Sequence, residues 1–166
     1  MFQKMTVRDL QKSPVQMLAE DWALLTAGTK TDFNTMTVSW GGVGALWGRD
    51  VAFVFVRPQR YTYQFMEKYD SFTLSFFDGA YKPELGLCGS KSGRELDKCA
   101  ATGLVPTEAE NGVTFTQAKT VLVCRKIAFQ DIEPNGFLDP AIAENYAAGD
   151  YHRMYVGEIT AVLTAE

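Results

Sequence analysis

The chain has 166 residues with a formal net charge of −4, and 46% of them are hydrophobic and 13% aromatic. That is enough for one sizeable core, and a general attraction to nucleic acid or another polyanion is not expected of an acidic chain. No run of 18 apolar residues exists, so no transmembrane helix is expected, and the polar start Met1 to Lys12 lacks the apolar centre of a secretory signal. The expectation is one cytoplasmic domain over residues 1–166 with no membrane partner.

Strand signals dominate the chain order: short apolar, aromatic or β-branched runs bounded by turn residues. They predict strands over Trp22–Ala27, Thr35–Trp40, Val51–Val56, Phe72–Phe76, Val113–Thr116, Thr120–Gln130 and Tyr151–Leu163. Asn111-Gly112 marks a turn before the fifth of these. The last two runs are long for strands, which suggests bending around a barrel. Ser13-Pro14 predicts a short helix to about Glu20, and Pro58 a second to about Tyr69. Ser92 followed by Glu95 has the capping-box pattern and predicts a third, stopping near Gly103. Asp139-Pro140 predicts a fourth, ending near Ala148. Many strands with few helices between them argue for an antiparallel barrel with peripheral helices.

Two basic, hydroxyl-bearing segments stand out in this acidic chain: Arg57-Pro58-Gln59-Arg60-Tyr61-Thr62 and Cys88-Gly89-Ser90-Lys91-Ser92-Gly93-Arg94. Both read as helix starts, where backbone N–H groups and the helix dipole favour an anion such as phosphate. Two guanidinium groups and a hydroxyl in a first turn make a plausible phosphate clamp. The alternative for the first segment is a surface ion pair with Glu67 or Asp70. For the second it is a solvated helix start. Neither segment matches the Walker pattern, and no GxGxxG occurs, so a nucleoside triphosphate and a Rossmann dinucleotide site are not indicated.

The run Asn34 to Gly42 places Thr35, Thr37 and Ser39 on one strand face and Met36, Val38 and Trp40 on the other. The hydroxyl face reads either as solvated or as the polar edge of a ligand pocket. Three separated cysteines and one histidine, His152, do not make a structural zinc site or a disulfide framework. Cys99 and Cys124 are expected to be buried thiols. No GxSxG elbow accompanies His152, so no hydrolytic triad is argued.

Three segments, NTMTVSWGGVGALWGRDVAFVFVRPQRYTYQFMEKYDSFTLSFF, LCGSKSGRELDK and YHRMYVGEI, resemble the flavin reductase-like proteins near the flavoredoxin branch, from about Trp22 to Ile159. The resemblance implies a split, Greek-key antiparallel β-barrel that binds FMN, usually as a homodimer with flavin near the subunit interface. It implies that Thr35, Met36, Thr37, Ser39 and Trp40 line the isoalloxazine ring. Arg57, Arg60, Tyr61 and Thr62 would reach the ribityl chain or phosphate, and Lys91 and Ser92 would add phosphate or ring contacts. His152 would sit near the flavin in a catalytic role, and the other reading of it is structural. The function implied is an NAD(P)H-dependent flavin reductase or a flavoredoxin-like electron carrier with a redox partner protein. NADH or NADPH would stack transiently on the exposed flavin face. The alternatives are a non-catalytic flavin-binding protein or a barrel for another cofactor such as haem.

Overall fold

The computed structural model describes residues 1–165. Its strands are β1 (Phe2–Met5), β2 (Ala23–Thr29), β3 (Asp32–Val38), β4 (Gly41–Leu46), β5 (Arg49–Val56), β6 (Ser71–Phe76), β7 (Pro106–Ala109), β8 (Gly112–Phe115), β9 (Thr120–Asp131) and β10 (Arg153–Ala165). Four short α-helices accompany them: α1 (Pro14–Gln16), α2 (Tyr61–Lys68), α3 (Lys82–Ser90) and α4 (Lys98–Thr102). The antiparallel order is β3-β2-β6-β9-β10-β5-β4, with β1 added on β10 and β7-β8 as a separate hairpin. No described helix is long and apolar enough to cross a membrane.

The architecture is a split β-barrel. The long β9–β10 pair has register shifts at Val156/Gly157 and Ile159/Ala161, and these let the ribbon bend. The first half of β10 then pairs with β5 and its last four residues, 162–165, with β1. At the bend the backbone leaves no room for a side chain. A Cβ on Gly157 would lie 2.5 Å from a ring carbon of Phe72 and 2.8 Å from Cys124 Cβ. The split falls between β3 and β4, which are joined through Ser39-Trp40 and do not pair with each other.

Burial explains why β2 lacks alternation: Ala23 through Gly28 are buried on both faces. One face joins the barrel interior with Met36, Val54, Phe72, Leu74 and Leu122. The other joins a second cluster beneath α3 and the β7-β8 hairpin, with Phe77, Leu85, Cys88, Phe115 and Val121. Strands buried on both sides carry near-continuous apolar runs.

The expected strands form with shifts of one or two residues at most ends, except that the second run starts three residues earlier, as Asp32–Val38, and leaves Ser39 and Trp40 outside. The helices need more correction. Pro58 lies in a turn, and α2 begins at Tyr61 with Arg60 as its N-cap. Ser92-Gly93-Arg94-Glu95 is a turn, and Asp97 caps α4 by accepting from Ala100 N–H. Gly103 ends that helix in the left-handed region at φ 71°, as expected. The Asp139-Pro140 segment is a 3-10 helix, Pro140–Tyr146. The predicted first helix is only three residues of α-helix, continued by a π-turn over Met17–Asp21.

Candidate functional site

Four structural boundaries meet at one end of the split: the β3 edge, the β5–α2 turn, the α3–α4 loop and the start of β10. Between them lie two adjoining cavities of about 510 Å³ and 190 Å³ that share Met36, Arg57 and Arg60. Volumes of several hundred Å³ are typical of small-molecule sites.

The larger cavity is polar and cationic. Arg57, Arg60, Lys91, Arg94 and Lys98 line it against only two acids, Glu95 and Asp150. At its base α2 starts with no side-chain cap on its first turn, so N–H groups and the positive dipole end face this space. Arg60 donates to the Gly89 carbonyl at 2.7 Å, which ties the β5–α2 turn to the end of α3. Thr62 is buried and accepts from Asn34 Nδ2 at 2.7 Å. Arg94 lies over the Tyr61 ring, 4.7 Å from its centroid. The loop closes on β3 because position 93 is glycine: a Cβ there would sit 2.1 Å from Asn34 Oδ1.

Lys98 is the residue the sequence reading missed here. It is 7% exposed, and its Nζ donates to the Thr35 carbonyl at 2.6 Å and the Cys88 carbonyl at 2.7 Å. No carboxylate pairs with it in the described structure. Burial pulls the ammonium below its usual value, against an opposing effect from Cys88, and Arg60 adds to the depression. A buried cation with only neutral partners is relieved by an incoming anion.

The smaller cavity is a slot walled by Met36, Val38, Trp40, Phe55 and His152. Trp40 is 51% exposed, and its ring centroid lies 5.5 Å from that of His152. His152 is buried, with Nδ1 2.8 Å from the Tyr146 hydroxyl. Its pKa is pushed down to about 4, by burial first and then by Arg57 and Arg60, against an opposing Asp150. The imidazole is therefore neutral at pH 7, although an unperturbed histidine titrates near neutrality.

All the sequence-derived site residues line these two cavities except Thr35. Its hydroxyl is 2.8 Å from Thr26 Oγ1 on the neighbouring strand, behind the cavity wall. Thr37 reaches the slot, but its hydroxyl donates to the Leu85 carbonyl at 2.5 Å. The hydroxyl face of β3 is therefore not solvated: α3 covers it, and a Cβ on Gly89 would meet Thr37 Cβ at 3.2 Å. Arg57 pairs with Asp150 at 2.7 Å and donates to the Asn145 carbonyl at 2.9 Å, rather than meeting Glu67 or Asp70. Lys91 and Ser92 stand in a loop after α3 rather than at a helix start. The thiols are free; Cys88 and Cys124 are buried and Cys99 is only partly so, with burial pushing its thiol up to about 11.

A profile described as "Flavin reductase like domain" matches residues 16–166. Among solved structures, the chain is similar to an FMN-binding domain of a flavin reductases-like enzyme from Shewanella baltica, at 16% identity and a TM-score of 0.69, covering 98% of this chain and 76% of that one. An FMN-binding protein from Thermus thermophilus with bound p-hydroxybenzaldehyde is 20% identical over 98% of this chain and 83% of that one, TM-score 0.69. Flavoredoxin of Desulfovibrio vulgaris (Miyazaki F) is 22% identical over 99% and 78%, TM-score 0.68. No curated protein matches the chain.

Proposed function

The chain belongs to the flavin reductase-like domain family, and from that premise we propose that it is an FMN-binding oxidoreductase, an NAD(P)H-dependent flavin reductase or a flavoredoxin-like electron carrier. The observation that carries this reading is the junction of a cationic cavity with an aromatic slot at the split of the barrel. One molecule with a phosphate at one end and a flat heterocycle at the other suits both. The donor set fits FMN: three arginines, two lysines and an uncapped helix start for the phosphate, and Met36, Trp40 and Phe55 for the ring.

Bound flavin supplies the redox chemistry, and the protein supplies orientation and electrostatics. Arg60, Lys98 and the α2 N-terminus would hold the phosphate in the wider cavity. Arg57, braced by Asp150, sits where the two cavities meet and directs positive charge toward both. His152 offers a neutral imidazole to the slot. Trp40, half exposed, is the side wall that a transient nicotinamide would pass.

The purified protein is expected to be yellow or to turn yellow on adding FMN, and anaerobic NADH or NADPH should bleach it. A protein that binds FMN but is not reduced by either nucleotide would leave a flavin carrier without reductase activity. Failure to take up FMN would overturn the flavin reading.

A homodimer belongs to the same proposal. Trp40 and Trp47 are 51% and 64% exposed, and β4 has no described partner on its outer edge. Exposed aromatics beside an unpaired edge strand invite a second chain. The expected interface is on the order of 2,000 Å². Light scattering at micromolar concentration should give a dimer mass, and a flavin-loaded monomer would contradict this.

A further inference from the structure

The segment between β9 and β10 braces the slot from outside the barrel. Asn145 and Asp150 hold Arg57, Gln59 donates to Asp150 at 2.5 Å, and Tyr146 reaches His152. The Tyr146 ring is packed with Phe137 at 5.7 Å and Tyr151 at 4.9 Å between centroids, and the Arg57 guanidinium lies 4.9 Å above it. Its position is therefore set by several neighbours, independently of the hydroxyl.

Tyr146 is 7% exposed, and His152 Nδ1 is its hydroxyl's one hydrogen-bond partner among the described residues. Two arrangements satisfy the 2.8 Å contact. If Nδ1 carried the proton and donated to the phenol oxygen, the phenol hydrogen would have no described acceptor in a buried site. If the phenol donates to Nδ1, both groups are satisfied. The second arrangement puts the ring proton on Nε2. Nε2 has no hydrogen-bond partner among the described residues, yet no buried side-chain nitrogen among them is unsatisfied, so Nε2 is open to the slot that His152 lines.

We propose that Tyr146 is a positioning residue that fixes His152 as the Nε2–H tautomer, so that the chain's one histidine meets the slot as a hydrogen-bond donor. The slot then selects an acceptor edge, a carbonyl oxygen or an unprotonated ring nitrogen, and disfavours a donor at that point. The charged and titratable groups facing the imidazole keep it neutral, so that one nitrogen alone carries a proton: Arg57 and Arg60 from the β5–α2 turn oppose a second positive charge, and Asp150, which would favour one, is already held by Arg57 and Gln59. The use of this donor by a flavin rests on the function proposed above; the tautomer itself does not.

One histidine in the chain makes the test direct. With ¹⁵N-histidine in the full protein, long-range ¹H–¹⁵N spectra near pH 7.5 without flavin should show one tautomer, protonated at Nε2, with Nδ1 shifted as a hydrogen-bonded acceptor. Tyr146→Phe keeps the ring packing and removes only the hydroxyl. It should move Nδ1 toward the unbonded position and admit the second tautomer. A parent protein protonated at Nδ1, or unchanged histidine signals in Tyr146→Phe, overturns the proposal. Adding FMN to the parent should then shift the Nε2 signal. A protein that turns yellow with that signal unmoved overturns donation to the ligand, whereas one that takes up no flavin fails the site reading while the tautomer result stands.

Discussion

Arg60→Ala is expected to weaken FMN binding by about 1.5–3 kcal/mol, the range for a hydrogen bond to a charged group, and to leave riboflavin binding nearly unchanged. Arg60 lines both cavities and has one described hydrogen bond, to the Gly89 carbonyl, with no carboxylate among the described residues neutralising it. Its remaining donors and its charge face the uncapped start of α2 beside buried Lys98. In the parent, riboflavin should bind less tightly than FMN, because it offers these cations no anion. In Arg60→Ala that difference should shrink. The tether to Gly89 also holds the α3–α4 loop, so Arg60→Lys is the control: it keeps the charge and loses the planar fork. Titration of both flavins by fluorescence quenching separates the possibilities. Equal losses for FMN and riboflavin would mean that Arg60 shapes the loop and does not read the phosphate.

The barrel was largely legible because its strands carry strong local signals. The long β9 and β10 runs announced bending, whereas the burial of β2 on both faces came only with the fold. β4 escaped notice because Gly41, Gly42 and Gly44 weaken the strand pattern, and only pairing with β5 supports it. α3 was missed for a similar reason: its sequence KPELGLCGS holds two glycines and has little helix propensity of its own. That error propagated. Without α3, the CGSKSGR segment reads as a helix start, and the hydroxyl face of β3 has nothing to cover it. Pro58 and Ser92 each carry a legitimate helix-start signal, but the chain uses both in turns that bring Arg60 and Gly93 against α3 and β3.

The basic residues of the site could be found because arginines clustered with hydroxyls are conspicuous in an acidic chain. Lys98 and Tyr146 could not. A lysine opening a five-residue helix and a tyrosine closing a 3-10 helix carry no local mark of burial. Their roles depend on carbonyls and an imidazole that only the fold delivers. Thr35 shows the converse case. It has the right residue type and strand, but the pairing of β2 with β3 turns its hydroxyl to Thr26.

His152→Asn is expected to remove a pH dependence of stability that lies well below neutrality. The imidazole's ordinary value of 6.5 falls to about 4 in the folded chain. Between those values the unfolded chain holds a proton that the native protein does not. Stability should therefore rise with pH through this window and be lost on acidification, by up to ~1.4 kcal/mol for each pH unit. Carboxylates also titrate there, so the measurement is the difference between parent and variant in denaturant unfolding at pH 7, 5.5 and 4. The parent's advantage over Asn should narrow as the pH falls, and a constant difference would contradict the burial argument. The same geometry bears on reduction. A neutral imidazole from pH 6 to 8 can donate a hydrogen bond but cannot follow a flavin's charge by titrating. Flavin reduction in stopped flow should then slow in His152→Asn by a similar factor at every pH in that range, with FMN affinity retained. A step near pH 6.5 in the parent that disappears in the variant would show that the bound flavin restores titration to this histidine, and would make it a proton carrier rather than a fixed donor.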